Sequence, residues 1–408
     1  MKPLQQTMSG PATSHKHRNP ESTVPSDSPR MHSGDEFSTR VIRGYSEFTA
    51  LREPWNHLAA ITPLKSVFLR HEWFDAAWQA LEHAIHPLIL IVERRGEIIC
   101  ICPLALKIPP RRARGRRKLT FFSVPDTQEC GLLINPDREQ MAIHRIARWL
   151  NDESRIWDTL QLQDMPEHTP HRDRLMAALI EHGMRAKRSA DSANYIVDVS
   201  GNWDRYYGGV SRRVKKNVNL SANRISRSGD FSLAHEDATL DPETSLEDAI
   251  RVSARSWKRD LGVTLDATLP GAFIRRLTHL AGELGWLSIW ILYVDANPIA
   301  MEYQLRYAGR VHALRADFDD NETSASPGLY VHHKQLQTLF DDPETEQYLM
   351  GPGANEYKFR WMTDTVPLQG LRAWPPTARG SALYLWDVHL RPWLARLVHF
   401  LRRRILRT

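Results

Sequence analysis

Cysteine is scarce in this chain: Cys100, Cys102 and Cys130 are the three among 408 residues. Three is too few, and an odd number, for a disulfide framework. Cys100 and Cys102 alternate within "EIICICPL", which puts them on one face of a strand as small core hydrophobes. No His or Cys cluster has metal-ligand spacing, so no metal site is expected, and His332-His333 reads as a helix surface. No apolar run reaches the ~20 residues that span a bilayer. The opening "MKPLQQTMSGPATSHKHRNP" lacks the apolar stretch of a secretory signal. Residues 1–36 are rich in Ser, Pro, His and Gly and read as a disordered tail. These absences point to a cytoplasmic protein, with peripheral contact to the inner membrane face left open.

Acidic residues are also missing locally. Three acid-free stretches, Arg111 to Lys118, Arg205 to Arg227 and Arg391 to Arg407, hold 19 of the 54 Lys and Arg. The rest of the chain carries 35 basic against 48 acidic residues, so the net charge of +6 is a property of patches. Patches suit anionic ligands or surfaces rather than general nucleic-acid coating, and no DNA partner is expected.

What is present is ordinary globular composition, 42% apolar and 25% charged, in a chain long enough for two domains. "TRVIRGYSEFTALREPWNHLAAI" reads as strand then amphipathic helix, and "SVFLRHEWFDAAWQALEH" as a second helix. "HPLILIVERRGEIICICPLALKI" is a hairpin turning through Arg94-Arg95-Gly96-Glu97. The second half has a long helix over Arg205–Arg227 stopped by Gly229, then helices around 246–258 and 272–284. A three-strand meander follows, turning at Asp295–Pro298 and Ala308-Gly309. Each half is therefore an α/β unit with a mixed, largely antiparallel sheet flanked by helices. The expected organisation is a tail to 36, domains over 37–195 and 196–378, and a basic amphipathic helix over 379–408.

"SASPGLYVHHKQLQTLF" opens a helix with a Ser, a Pro and a Gly. Ser326 and Pro327 are residues that cap and start helices. The same free amides, with the positive end of the helix dipole behind them, also suit an anion such as a pyrophosphate.

Several spaced motifs, in order, resemble the GNAT-superfamily acetyltransferases of the CelD/BcsL type, related to Fem-type peptidyltransferases. They are Asn297–Glu302, the Asp317–Asp319 segment, Ser326-Pro327-Gly328 and Gly351…Glu356-Tyr-Lys-Phe-Arg-Trp361, with "SVFLRHEWFDAAWQAL" and "FFSVPDTQECGLLINP" in the first half. The likeness runs over residues 40–375 and implies two tandem GNAT-like domains and acyl transfer from acetyl-CoA, with no metal. It implies an amine or hydroxyl acceptor, lipid- or nucleotide-linked, in a cellulose or exopolysaccharide setting. One departure stands out: the segment Glu322–Gly328 has one Gly and no basic residue where the superfamily's phosphate loop is Gly-rich with a Gln or Arg.

The resemblance assigns the Ser326, Pro327, Gly328 and Leu329 amides to the pyrophosphate, and the main chain of Leu314, Arg315 and Ala316 to the pantetheine arm and carbonyl. Glu302, a carboxylate in the apolar "PIAMEYQL", is the candidate base, since burial would raise its pKa. Its alternative is an ion pair with Arg315 on the next strand. Asp317 is a second candidate base. By resemblance Tyr357 protonates the leaving thiolate. Lys358 is a candidate for an anionic acceptor, and Trp257 for either an acceptor-site wall or core. On the 205–227 helix, Val210, Val214, Val218, Ala222 and Ile225 form one stripe. Arg212, Arg213, Lys216, Arg224 and Arg227 lie opposite and suit phosphates.

"RPWLARLVHFLRRRILRT" sets Leu394, Leu397, Val398, Leu401 and Ile405 against Arg396, Arg403 and Arg407, with Trp393 near its start. This suits either an anionic membrane surface or packing on the body. Two other functions stay open: aminoacyl transfer from aminoacyl-tRNA, and a non-catalytic membrane-associated part of a polysaccharide-producing assembly.

Overall fold

A computed structural model describes residues 36–110, 115–189, 192–236, 241–394 and 396. Residues 1–35 of the expected tail, and residues 395 and 397–408 of the expected C-terminal helix, lie outside the described residues. The first half runs β1 (Phe37–Ile42), α1 (Tyr45–Thr49), α2 (Arg52–Ile61), α3 (His71–Gln79), β2 (Ile85–Arg94), β3 (Glu97–Lys107), β4 (Lys118–Phe121), β5 (Leu133–Ile134), α4 (Glu139–Asp152), β6 (Thr159–Pro166), α5 (His171–Glu181) and β7 (Arg185–Arg188). The second runs β8 (Ser192–Asp198), α6 (Trp203–Gly209), α7 (Arg212–Ser228), β9 (Phe231–Glu236), α8 (Pro242–Ala254), α9 (Thr268–Glu283), β10 (Leu287–Val294), β11 (Asn297–Tyr307), β12 (Arg310–Phe318), α10 (Pro327–Asp341), β13 (Gln347–Pro352), α11 (Glu356–Trp361), β14 (Asp364–Trp374) and α12 (Ala378–Leu385).

The strands form one mixed sheet in the order β1-β2-β3-β4-β6-β14-β8-β13-β12-β11-β10-β9, with β5 on β3 and β7 on β14. The expected α/β class, a largely antiparallel sheet flanked by helices, is what the chain adopts. β14, near the end of the described chain, pairs with β6 of the first half and β8 of the second, so the halves share an unbroken sheet. β8 contains residues 195 and 196, the expected joint between domains.

The tight turns follow from residues able to take positive φ. Arg95 (φ 50) and Gly96 (φ 84) close β2–β3, and Ala308 (φ 49) and Gly309 (φ 74) close β11–β12. Two consecutive positive φ values match the right-handed twist of the flanking strands. The expected single helix over 205–227 is instead two. Gly208 and Gly209 weaken the helix there, Val210 is extended, and the Ser211 side chain accepts from the Val214 amide to start α7 afresh. Cys100 and Cys102 are both buried in the core on one face of β3.

A single core joins α1–α3 of the first half to α8 and α9 of the second across β10 and β11. Trp73 lies at this junction, edge-on to Phe68 (4.7 Å between centroids) and Phe273 (5.1 Å). A seam ion pair adds to it: the Arg276 guanidinium donates to Asp75 Oδ2 at 2.8 Å. Because the indole is buried on all sides, Trp73→Ala should cost about 3–5 kcal/mol. Both halves should melt together in one denaturant transition; two separated transitions would contradict a shared core.

Candidate functional site

β12 and β13 run parallel but pair only at Arg310–His312 with Gln347–Leu349, after which they diverge into a fork. On its other edge β12 carries a bulge. Tyr303 faces Arg315 and Gln304 faces Ala313, which leaves Leu314 as the extra residue. A bulge bends its strand and disrupts the ladder locally. Here it lies at the mouth of the fork, among the three residues expected to meet the donor's arm.

Glu302 on β11 points from the sheet toward α10 and is buried, 3% exposed. Its Oε1 accepts from the Tyr348 hydroxyl of β13 and from Gln304 Nε2 at 3.2 Å. Gln304 Nε2 also donates to Gln335 Oε1. The Gln335 amide nitrogen in turn donates to the Tyr348 oxygen at 2.9 Å and to His332 Nδ1 at 3.1 Å. A carboxylate can only accept, so it sets the direction of every bond in this network. In the neutral ring, Nδ1 accepts from Gln335 and the imidazole proton is therefore on Nε2; that buried nitrogen has no partner among the described residues. The Tyr357 ring of α11 stands edge-on to His332, 5.6 Å between centroids.

The expectation that burial raises the Glu302 pKa is overturned. Desolvation does push it up, but His332 in its charged form, with Nδ1 3.8 Å from Glu302 Oε2, and the Tyr348 and Gln335 bonds outweigh that, holding the carboxyl below the usual glutamate value. The alternative pairing with Arg315 is also absent, because that guanidinium pairs with Asp126 at 2.9 Å. Tyr357 is pushed the other way: burial, then the nearby Glu302 charge, raises its phenol, which therefore keeps its proton.

Asp317 does not join Glu302. It projects toward α8, where Ser253 Oγ donates to it at 2.8 Å and Lys258 forms an ion pair with it. Lys358 does not present its ammonium to an acceptor, because Nζ donates to the Gly351 and Pro352 carbonyls, both at 2.9 Å. Burial pulls its pKa down to about 8. Trp257 is 53% exposed, which excludes core. It precedes Lys258, whose Nζ lies 3.2 Å from the Ala316 carbonyl at the edge of the fork.

At the α10 end, Ser326 takes a left-handed conformation (φ 54) and its side chain caps nothing. Ser221 of α7 instead donates to the Ala325 and Ser326 carbonyls at 2.8 and 3.0 Å. Of the four amides expected to face a pyrophosphate, Ser326 N–H bonds Thr323, Leu329 N–H bonds Ser326, and Pro327 has none. Gly328 supplies the remaining one. Asp319, Asp320 and Glu322 precede it, with Arg255 pairing Asp319 at 3.2 Å and Arg224 donating to the Ser324 carbonyl. Arg212, Arg213 and Lys216 are exposed on α7, without an ion pair among the described residues.

Sequence reasoning missed His332, Gln335, Tyr348 and Gln304. The expected surface pair is off the surface: His332 is buried, and His333, half-buried, packs against the stacked rings of Trp203 and Tyr207. A signal existed, since 332, 335, 336 and 339 share one helical stripe with two leucines. Gln128, from the first half, gave none. It reaches into the fork, where Nε2 donates to the Ala313 carbonyl at 2.6 Å. Next to it, Glu129 is wholly buried near Ser66 and Arg310, and desolvation raises its pKa. Two recesses of about 500 and 530 Å³ lie in the first half, lined around His57 and around His144, away from this fork.

Residues 212–359 match the family model described as an acetyltransferase (GNAT) domain. The chain is similar in fold to FemX, with a TM-score of 0.53 at 10% identity, over 85% of this chain and 98% of that one. It is also similar to the C-terminal domain of a putative lysylphosphatidylglycerol synthetase from Agrobacterium fabrum (0.52, 11% identity, 83% and 95%). A conserved protein of unknown function from Bacteroides thetaiotaomicron gives 0.50 at 11% identity, over 80% and 97%. No curated protein matches the chain in sequence.

The folded-state Glu302 pKa is depressed, so its contribution to stability is complete above the ordinary glutamate value and is lost as pH falls through the folded value. Tyr348→Phe removes one donor and should cost about 1–3 kcal/mol near neutral pH. It should also move the acid loss of stability to higher pH; an unchanged acid-unfolding curve would contradict the network.

Proposed function

We propose that this protein is an acyltransferase that moves an acyl group, acetyl in the simplest case, from acyl-CoA to an amine or hydroxyl acceptor related to sugars or the cell envelope. The observation that carries the reading is the buried Nε2 of His332, unpartnered among the described residues. It is buried beside the β12–β13 fork of a domain that matches the GNAT family model.

Thioester acyl transfer develops negative charge on the carbonyl oxygen and then on the departing sulfur, and fixed donors in a buried site stabilise both. In this proposal His332 Nε2–H faces the carbonyl oxygen and the Tyr357 hydroxyl gives its proton to the thiolate. The acceptor nitrogen or oxygen bonds to the acyl carbon as the carbon–sulfur bond breaks; the acceptor's proton leaves to solvent, and a proton from solvent restores the Tyr357 phenol. Glu302 is a positioning residue, because it sets the direction of the bonds that hold His332. Asp317 and Lys358 hold structure around the fork, and Trp257 lines the acceptor's approach. The main chain of Leu314, Arg315 and Ala316 follows the donor's arm. The residues at the α10 start fit a diphosphate in part: Gly328 N–H has no partner among the described residues and Arg224 lies beside it, while three carboxylates precede them.

A second reading, aminoacyl transfer from aminoacyl-tRNA, is favoured by one observation. The exposed face of α7 carries Arg212, Arg213, Lys216, Arg224 and Arg227 with no acid in the helix. Binding of RNA there would weaken steeply with salt.

A Cβ added at Gly328 would meet only the Phe318 ring, at 3.5 Å, so a side chain fits there without disturbing the fold. Gly328→Glu should therefore keep its melting temperature and lose the thermal stabilisation that CoA gives the wild type. Wild-type CoA binding in that variant would remove this loop from the donor site. His332→Ala should lower kcat about 10²–10³-fold, with His332→Gln recovering part of the loss through its amide donor; equal rates in all three would sink the assignment.

A further inference from the structure

The last described helical segment leaves an apolar stripe in water that the transferase reading does not use. α12 continues through a π turn over Trp386–Leu390 and a further helical turn at 391–394. Pro392 explains the π turn: it has no N–H for the carbonyl four residues back, and the widened turn relieves the ladder. Turns of that width bring residues five apart toward one face, as Leu385 and Leu390 are. Leu385 is 53% exposed, Leu390 49% and Trp393 59%, and Trp386 and Leu394 are exposed beside them.

The opposite face is anchored to the body. Arg116 donates to Asp387 at 2.6 Å, Trp374 Nε1 donates to the same carboxylate at 3.2 Å, and Tyr384 packs edge-on to Trp374 at 5.2 Å. The stripe is thus held rigidly outward. Arg391 and Arg396, on the same segment, are exposed. From residue 391 to 408 the sequence has six arginines and no acid.

We infer that this face docks onto the surface of an anionic phospholipid bilayer, with Leu385, Trp386, Leu390 and Trp393 entering the headgroup–acyl boundary and the arginines meeting lipid phosphates. Large apolar side chains on one face, tryptophan among them, with arginine alongside, are what such a surface selects. A second copy of the chain fits less well, because the concentrated positive charge would repel itself.

The test uses the full chain and vesicles of phosphatidylcholine with or without phosphatidylglycerol, read by co-sedimentation. The wild type should bind the phosphatidylglycerol vesicles about tenfold or more above the neutral ones, and high salt should weaken that binding. The triple variant Leu385→Gln, Leu390→Gln and Trp393→Gln changes only exposed side chains and should keep its melting temperature while losing vesicle binding. Unchanged vesicle binding by the variant, or none by the wild type, would overturn the inference. A wild-type dimer in light scattering that the variant converts to monomer, without vesicle binding, would assign the stripe to a second copy and overturn it equally.

Discussion

A carboxylate inside a protein core is costly unless donors surround it, and Glu302 is where this fold meets that constraint. Its burial between β11 and α10 leaves it reliant on Tyr348 and Gln304 for hydrogen bonds. Those donors come from two strands, and the network extends through Gln335 and His332 of the packed helix. The geometry of β11, β13 and α10 is therefore coupled through a single charge. Because an ionised carboxyl accepts and never donates, it fixes which way each amide and hydroxyl faces. The imidazole at the end of the chain inherits its proton position from that.

The same constraint links fold to chemistry. The divergence of β12 and β13 makes an opening, and the bulge at Leu314 bends β12 at its mouth. The first half of the chain takes part through Gln128 at the Ala313 carbonyl and through the Asp126–Arg315 pair. With β14 stitched between β6 and β8, the two halves act as one framework around the fork. A site of this kind needs donors that do not move when charge appears, and a network closed on a buried carboxylate supplies that rigidity.

Much of the fold was legible in sequence because short-range chemistry dictates it. The Arg95-Gly96 and Ala308-Gly309 turns, the alternation at Cys100 and Cys102 and the helical stripe of Val214, Val218 and Ile225 all depend on neighbours within a few residues. The break at Gly208-Gly209 was also a local signal, outweighed by the longer apolar periodicity. The site was harder to read. Glu302 was visible as a charge in an apolar strand, yet its pKa direction depends on residues 30 and 46 positions further along, at 332 and 348. Asp317 stood as a second candidate base, at a strand end, and only the alternation of β12 puts it on the face toward α8. Gln128 reaches its partner over 185 positions, a distance no pattern in the chain encodes.

The central claim is that Glu302 fixes His332 with its proton on Nε2. Nitrogen-15 NMR of histidine-labelled protein, with His332 assigned by its loss in His332→Gln, reads that proton directly. The account predicts that the neutral form of the ring carries its proton on Nε2, with the preference lost in Glu302→Gln. A neutral ring protonated at Nδ1 in the wild type would contradict it.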